Sequence, residues 1–265
     1  MVLTRYQLAN LETGTESYRN KRKSTDHEDV LVADPPIVTI SRSHQTQQDN
    51  SLDAPLKVDA LLEQLDDYEC STLDALMMRW PSLHSRLKGM KPHLPPKKAD
   101  NKPTLVLDLD ETLLHTYRDM DNKYDVDYVL YDHHRTSRLL AGRLRPGVMD
   151  FLTWASDAFE IVVWTAGTRD YAMMARTCLD PNNQLITHIL SRNSCIQVRS
   201  ASALQVVYVK DLCALGRDLS KTFLVDNTPH AASLNLSNWI PIQAYVGGSS
   251  DTQLTELRQY LESHV

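Results

Sequence analysis

No run of apolar residues in this sequence approaches the ~18 that would carry a helix across a bilayer. The opening Met1-Val2-Leu3-Thr4-Arg5 also lacks the charged-then-apolar order of a secretory signal. A soluble chain with no membrane association is therefore expected. The four cysteines, Cys70, Cys178, Cys195 and Cys213, form no CxxC pair and no Cys/His cluster of zinc-ligand spacing. They read as reduced thiols of a nuclear or cytoplasmic protein. Nor is there a surplus of positive charge, since 28 Lys and Arg stand against 34 Asp and Glu, a net −6. A general nucleic-acid binder needs a basic face to neutralise phosphates, so nucleic acid is disfavoured as a partner. Monomer is the default oligomeric state.

What is present changes along the chain. Residues 1–52 are rich in Ser, Thr, Gln, Asn and Asp without sustained periodicity, and such a segment buries too little to offset the entropy of ordering it. They read as a disordered polar tail, within which Lys21-Arg22-Lys23 is a solvated charge cluster in preference to a weak nuclear-import signal. Over residues 53–101 come two short amphipathic helices and a linker. The helices are read from Leu61, Leu62 and Leu65, then Leu73, Leu76, Met77 and Trp80, which recur at helical spacing. The linker, Lys91-Pro92-His93-Leu94-Pro95-Pro96-Lys97-Lys98, is extended because successive prolines disfavour helix. Residues 102–265 then alternate strand and helix. Short β-rich runs at Thr104–Leu107, Ile161–Trp164, Val206–Val209, Thr222–Val225 and Ile240–Val246 are separated by helical patterns such as Pro146–Ala158 and Arg169–Cys178. Such runs predict an α/β, doubly wound, mainly parallel sheet, whose ligands sit beyond the carboxyl ends of the strands.

The polar residues fall where that rule puts them. Thr104–Leu107 runs into Asp108-Leu109-Asp110-Glu111-Thr112, and alternation places Asp108 and Asp110 on one side. Two carboxylates that close repel unless a cation or a shared proton relieves them, and Mg²⁺ suits one or two carboxylates plus a phosphate. Trp164 is followed by Thr165, a hydroxyl donor to a phosphate oxygen. Val209 leads to Lys210, a compact cation. Val225 leads to Asp226-Asn227, an oxygen-rich pair. Alone, each has an ordinary explanation as a capping Thr, a surface Lys or a turn. Together they supply acids, a hydroxyl, a cation and an amide at four strand ends of one domain.

Asp108-Leu109-Asp110-Glu111-Thr112-Leu113-Leu114-His115 resembles the first motif of the haloacid dehalogenase superfamily. More narrowly, it is similar to the NLI-interacting-factor-like, or RNA polymerase II C-terminal-domain small phosphatase, family. Leu144-Arg145-Pro146-Gly147, Trp164-Thr165-Ala166-Gly167-Thr168-Arg169-Asp170-Tyr171-Ala172, Ser191-Arg192-Asn193-Ser194-Cys195, Tyr208-Val209-Lys210-Asp211-Leu212 and Val225-Asp226-Asn227-Thr228-Pro229 continue the match in order. It covers roughly residues 102–262 and none of residues 1–100.

The resemblance implies a Mg²⁺-dependent serine/threonine phosphatase with Asp108 as nucleophile, held ionised by Mg²⁺ and Lys210. Asp110 would be the general acid and then base, Thr112 a loop-fixing residue, and Thr165 and Lys210 the holders of the phosphoryl oxygens. The metal would take the Asp108 carboxylate, the Asp110 backbone carbonyl and Asn227, with Asp226 either a ligand or a partner of Mg²⁺ and Lys210. Arg192 and Tyr171 match substrate-groove residues, with a surface ion pair and a packed core ring as their equally weighted alternatives, and His115 supports the loop. Between the first two motifs, His115–Arg143 has one strand-like run, Tyr124–Tyr131, so a small β insertion is expected and no large cap. A site without a lid favours a phosphorylated protein as substrate, the polymerase tail among the candidates. Ile196–Val209 is longer than in the small phosphatases, which leaves peptide preference open. The alternatives are a silent binding relative of the mitochondrial import-receptor type and a phosphatase of small-molecule or nucleic-acid phosphomonoesters. The complete acidic set and the lack of an anchor weigh against the first; the modest insertion and acidic charge weigh against the second.

Overall fold

The computed structural model describes residues 2–3, 89, 91–97, 101–117, 126–132, 138–199 and 206–265. The two expected helices within 53–87 lie outside these residues. So does the expected tail, apart from the backbone of Val2–Leu3. The strands are β1 Val2–Leu3, β2 Thr104–Leu107, β3 Leu114–Tyr117, β4 Tyr128–Asp132, β5 Arg138–Leu144, β6 Glu160–Trp164, β7 His188–Leu190, β8 Ile196–Arg199, β9 Val206–Val209, β10 Thr222–Asp226 and β11 Trp239–Pro241. The helices are α1 Val148–Ala158, α2 Arg169–Leu179, the single turn α3 Pro229–Ala232 and α4 Gln253–His264.

Alternation along the buried strands sorts side chains to two faces. Leu105, Leu107, Ile161, Val163 and Val225 pack with apolar residues of α1, α2 and α4. Val106, Val162 and Leu224 point the other way, onto Trp164, Leu212, Leu215, Ala232 and Trp239. The sheet between these layers has the order β11-β10-β2-β6-β7 and every pairing in it is parallel. Both faces are covered, as expected of a doubly wound fold. Succession runs outward from β2 through β6 to β7 and then restarts on its other side at β10. The crevice between the carboxyl ends of β2 and β10 is therefore the switch point where ligands of such sheets bind. Gly147, at φ 76°, makes the left-handed turn from which α1 starts.

The β insertion after the first motif supplies β3, β4 and β5 of an antiparallel sheet ordered β1-β4-β5-β3, whose fourth strand, β1, comes from residues 2–3. Two strand readings need correction. Val206–Val209 is not in the parallel sheet, but forms an antiparallel hairpin with Ile196–Arg199. Its first three residues are only half-buried, so its apolar run is that of a surface ribbon. Ile240–Val246 is a strand only through Pro241, because proline lacks the N–H to continue a ladder. Among the described residues, no helix is long and apolar enough to cross a membrane.

The proline-rich segment 91–97 bends at His93–Leu94, and it is docked. Leu94 is buried beside Trp164 and Leu212, His93 N donates to Ala214 O at 2.8 Å and Arg217 Nη1 to Pro95 O at 3.0 Å. Below the sheet, at the end away from the crevice, Glu160 accepts from Thr104 Oγ1 at 2.8 Å and from Arg217 through two bonds of 2.7 Å. Burial alone would raise the Glu160 carboxyl, but these bonds and the Arg217 and Lys97 charges hold it down at about 2. A depressed folded pKa gives stability that is complete above the ordinary value near 4.5 and is lost as pH falls toward 2. Glu160→Gln is thus expected to cost roughly 2–3 kcal/mol at pH 6. In urea unfolding, its deficit against the natural protein should close by about pH 2–3.

Candidate active site

Four chain segments meet at the switch point. Asp108 leaves β2 with its N–H on Val225 O at 2.9 Å, which places it directly beside the end of β10. Lys210 follows β9, and its backbone N–H is tied to Ala231 O of α3 at 2.9 Å. That anchor turns the ammonium inward, where Nζ donates to Asp108 Oδ1 and to Asp226 Oδ2, each at 2.6 Å. All three side chains are buried. Asp226 is further held by Thr228, whose N–H and hydroxyl donate to Oδ1 at 2.8 and 2.7 Å. Both Asp226 oxygens are therefore occupied by protein donors, which fits a charge partner of Lys210 better than a direct ligand of an ion.

Thr112 Oγ1 donates to Asp108 Oδ2 at 2.9 Å and lies 3.4 Å from Asn227 Oδ1. A hydroxyl has one proton, and the shorter contact takes it, so the Asn227 amide oxygen keeps its acceptor capacity. Thr165 Oγ1 donates to Asp110 Oδ2 at 3.0 Å and receives Gly167 N–H at 2.8 Å. The sequence residues Asp108, Asp110, Thr112, Thr165, Lys210, Asp226 and Asn227 thus converge in one place. Arg192 is at the rim: its N–H and Nε donate to Gly167 O and Ala166 O at 2.9 and 2.6 Å, and its guanidinium lies 4.9 Å from the Tyr208 ring. His115 faces away from the acids, its ring 4.9 Å from that of Tyr117.

Tyr171, expected along a substrate groove, instead turns its hydroxyl onto Asp110 Oδ1 at 2.5 Å. Burial and the Asp110 charge push this hydroxyl's pKa far upward. Arg145 lies in the Leu144-Arg145-Pro146-Gly147 motif, but nothing in the sequence points to its role. The side chain is buried and donates to Thr112 O at 3.0 Å, Gln243 O at 2.8 Å and both oxygens of Asp251 at 2.7 and 2.8 Å. It braces the loop that carries the first motif. In that loop Glu111 adopts φ 63°, which is uncommon for a residue with a side chain.

Electrostatically the site is short of positive charge. Burial pushes the Asp108 carboxyl up to about 7; Lys210 opposes this, while Asp226 and Asp110 add to it. Lys210 is itself held above its ordinary value by the two carboxylates, against the effect of burial. Among the described residues no three His, Cys, Asp or Glu side chains group as metal ligands, so an ion here would draw on amide and backbone oxygens as well. Mg²⁺ accepts such a shell of few carboxylates. The excess negative charge and the free Asn227 oxygen suit it.

Residues 103–265 match the family described as NLI interacting factor-like phosphatase. The chain is 37% identical over 194 residues to CTD small phosphatase-like protein 3 of Caenorhabditis elegans, covering 72% of this chain and 65% of that protein. It is 31% identical over 177 residues to the human carboxy-terminal domain RNA polymerase II polypeptide A small phosphatase 1, covering 64% and 62%. The solved structure of Fcp1, an essential RNA polymerase II CTD phosphatase, aligns with a TM-score of 0.44 at 22% identity over 61% of this chain and 48% of that one. The chain thus spans less than two thirds of the length of these relatives.

Proposed function

Because the chain belongs to the NLI interacting factor-like phosphatase family, we propose that it is a Mg²⁺-dependent phosphatase of phosphoserine or phosphothreonine in proteins, acting through an aspartyl-phosphate on Asp108. The observation that carries this reading is the single ammonium of Lys210 shared by Asp108 and Asp226 at the switch point, with Thr112 fixing the other Asp108 oxygen.

Asp108 Oδ attacks phosphorus and the bond from phosphorus to the substrate oxygen breaks. Asp110 gives its proton to that leaving oxygen. Water then forms a new bond to phosphorus, the bond to Asp108 breaks, and Asp110 takes the proton from the water. Two displacements replace one harder one. In this reading Lys210 and Thr165 donate to the phosphoryl oxygens, and the Thr165 hydroxyl, which has one proton, orients Asp110 when no phosphoryl oxygen takes it. The Asp108 carboxylate, the Asp110 backbone carbonyl and the Asn227 amide oxygen would hold Mg²⁺, which neutralises charge on the phosphoryl group and keeps Asp108 ionised.

The neighbourhood favours a macromolecular substrate. The described residues of the insertion form strands and no helix, and in this reading the substrate itself excludes water. One relative's name refers to the RNA polymerase II carboxy-terminal domain, which makes a phosphorylated tail of that kind one candidate among phosphoproteins.

The test is a comparison of phosphate release from phosphoserine and phosphothreonine peptides with release from nucleotide and sugar phosphates, with Mg²⁺ and then with EDTA. Peptides are expected to be preferred by at least about tenfold in kcat/KM, with release lost in EDTA. Absence of Mg²⁺-dependent release, or preference for the metabolites, would reject the reading.

A further inference from the structure

Four polar groups run in line away from Asp110 and into the inserted sheet. Asp110 Oδ1 meets Tyr171 OH at 2.5 Å, Tyr171 OH meets Thr116 Oγ1 at 2.7 Å, and Thr116 Oγ1 meets Tyr128 OH at 2.6 Å. Tyr128 OH also reaches His115 O at the longer distance of 3.2 Å. Thr116 lies on β3 and Tyr128 on β4, both paired with Gly142 of β5. A side chain at position 142 would collide with the Tyr128 hydroxyl and the His115 carbonyl. Glycine at that point leaves the room in which the hydroxyls meet.

We infer that Tyr171, Thr116 and Tyr128 form a directed hydroxyl chain that positions ionised Asp110 to take the proton from the hydrolytic water. This rests on the phosphatase reading above. The direction follows from proton counting. An ionised carboxylate only accepts, and each hydroxyl has one proton to donate. Tyr171 must therefore give its proton to Asp110. The contact between Thr116 and Tyr171 can then be a hydrogen bond only if Thr116 donates. With its proton committed, Thr116 accepts from Tyr128, for which 2.6 Å is the shorter of the two contacts. Every hydroxyl in the chain thus polarises the next toward the carboxylate. Thr165 holds the other Asp110 oxygen at 3.0 Å, so the carboxylate is fixed from two sides. The inserted sheet thereby acts on the chemistry without touching the phosphoryl group. Tyr171, Thr116 and Tyr128 are positioning residues.

The hydrolytic step is where this matters, because there Asp110 must be ionised and aimed at water. An aryl phosphate with a good leaving group needs little help in forming the aspartyl-phosphate, so slowing of the second step alone exposes the effect. Rapid mixing of the full chain and Mg²⁺ with p-nitrophenyl phosphate is the experiment, with acid-quench trapping of the phosphoenzyme. Tyr171→Phe is expected to lower kcat roughly tenfold, and Thr116→Val by roughly threefold to fivefold. Both should show a burst approaching one nitrophenolate per active site and a larger trapped phosphoenzyme fraction. Thr116→Ser keeps the hydroxyl and is expected to recover most of the rate, while Thr116→Val keeps the shape and does not.

The inference is overturned if the natural protein turns over and Tyr171→Phe stays within twofold of it. It is equally overturned if the variants slow without a burst, or if Thr116→Ser is as slow as Thr116→Val. A natural protein with no turnover at all would instead overturn the phosphatase reading itself.

Discussion

An Asp108→Asn protein is expected to release phosphate at least about 10⁴-fold more slowly than the natural one, and to be harder to unfold. The first half follows from removal of the attacking oxygen. The amide that replaces the carboxylate cannot form the acyl phosphate, and neither Lys210 nor Thr165 is a nucleophile placed to substitute for it. The second half follows from the charge count. Burial raises the Asp108 carboxyl from 3.8 to about 7, so its ionised form is disfavoured in the fold. For a carboxyl whose folded pKa is raised, stability is greatest below the unfolded value and falls as pH climbs from about 4 to 7. The amide has no charge to desolvate, and Lys210 keeps Asp226 at 2.6 Å. In EDTA at pH 8, Asp108→Asn is therefore expected to gain on the order of 1–3 kcal/mol. That gain should vanish near pH 4, as read by urea unfolding at both values. Activity and stability move in opposite directions when a buried charge is kept for chemistry. A variant that is inactive because it fails to fold would show the reverse stability change, and an active variant would exclude Asp108 as nucleophile.

The residues at the crevice were legible in the sequence because a parallel sheet presents its chemistry at fixed points in the text. Asp108, Thr165 and Asp226 each end or follow a run of three or four apolar residues in a strand covered on both faces, and that burial writes a strong local signal. Lys210 follows a strand of a different kind. Val206–Val209 carries the same apolar composition, yet it belongs to a hairpin, and composition alone does not separate a two-stranded ribbon from a sheet interior. The edge strand β7 went unread because three residues, His188–Leu190, give no period to detect. The hydroxyl contacts of Thr116 with Tyr171 and Tyr128 join residues 55 and 12 positions apart, and no local pattern encodes them. Tyr171 itself sits at the start of α2, where its spacing speaks only of a helix; the turn of its hydroxyl onto Asp110 depends on where the insertion folds back.

Arg145 is the clearest case of a role invisible in the text, and its loss should carry the largest cost to the fold. Arg145 is 1% exposed, and its guanidinium reaches residues 33, 98 and 106 positions away in the chain: Thr112 in the motif loop, Gln243 after β11, and Asp251 just before α4. The two parallel bonds to Asp251 have the bidentate geometry that a lysine could not copy. Around them, Tyr245 N–H donates to Glu111 O at 2.7 Å and the Tyr245 hydroxyl to Leu144 O at 3.0 Å, so the clamp also holds the uncommon Glu111 backbone. Arg145→Met would leave the Asp251 carboxylate without its counter-charge and two carbonyls without donors. Breaking a buried pair in this way typically costs about 3–5 kcal/mol. Asp251 keeps some contact with water, its side chain being 16% exposed, so Asp251→Leu strands the deeper charge of the two and should cost a similar amount. Removing both charges strands neither, and the double variant is expected to be less destabilised than the sum of the singles by at least about 1 kcal/mol. Urea unfolding reads these stability losses, and steady-state kinetics check a second consequence. If the clamp acts through the Thr112 carbonyl, the Arg145→Met protein that remains folded should lose kcat while KM changes little, because the loop that aims Asp108 has loosened while the rim that meets substrate has not. Additive stability losses, or a rise in KM alone, would show that Arg145 fills space and does not hold the loop.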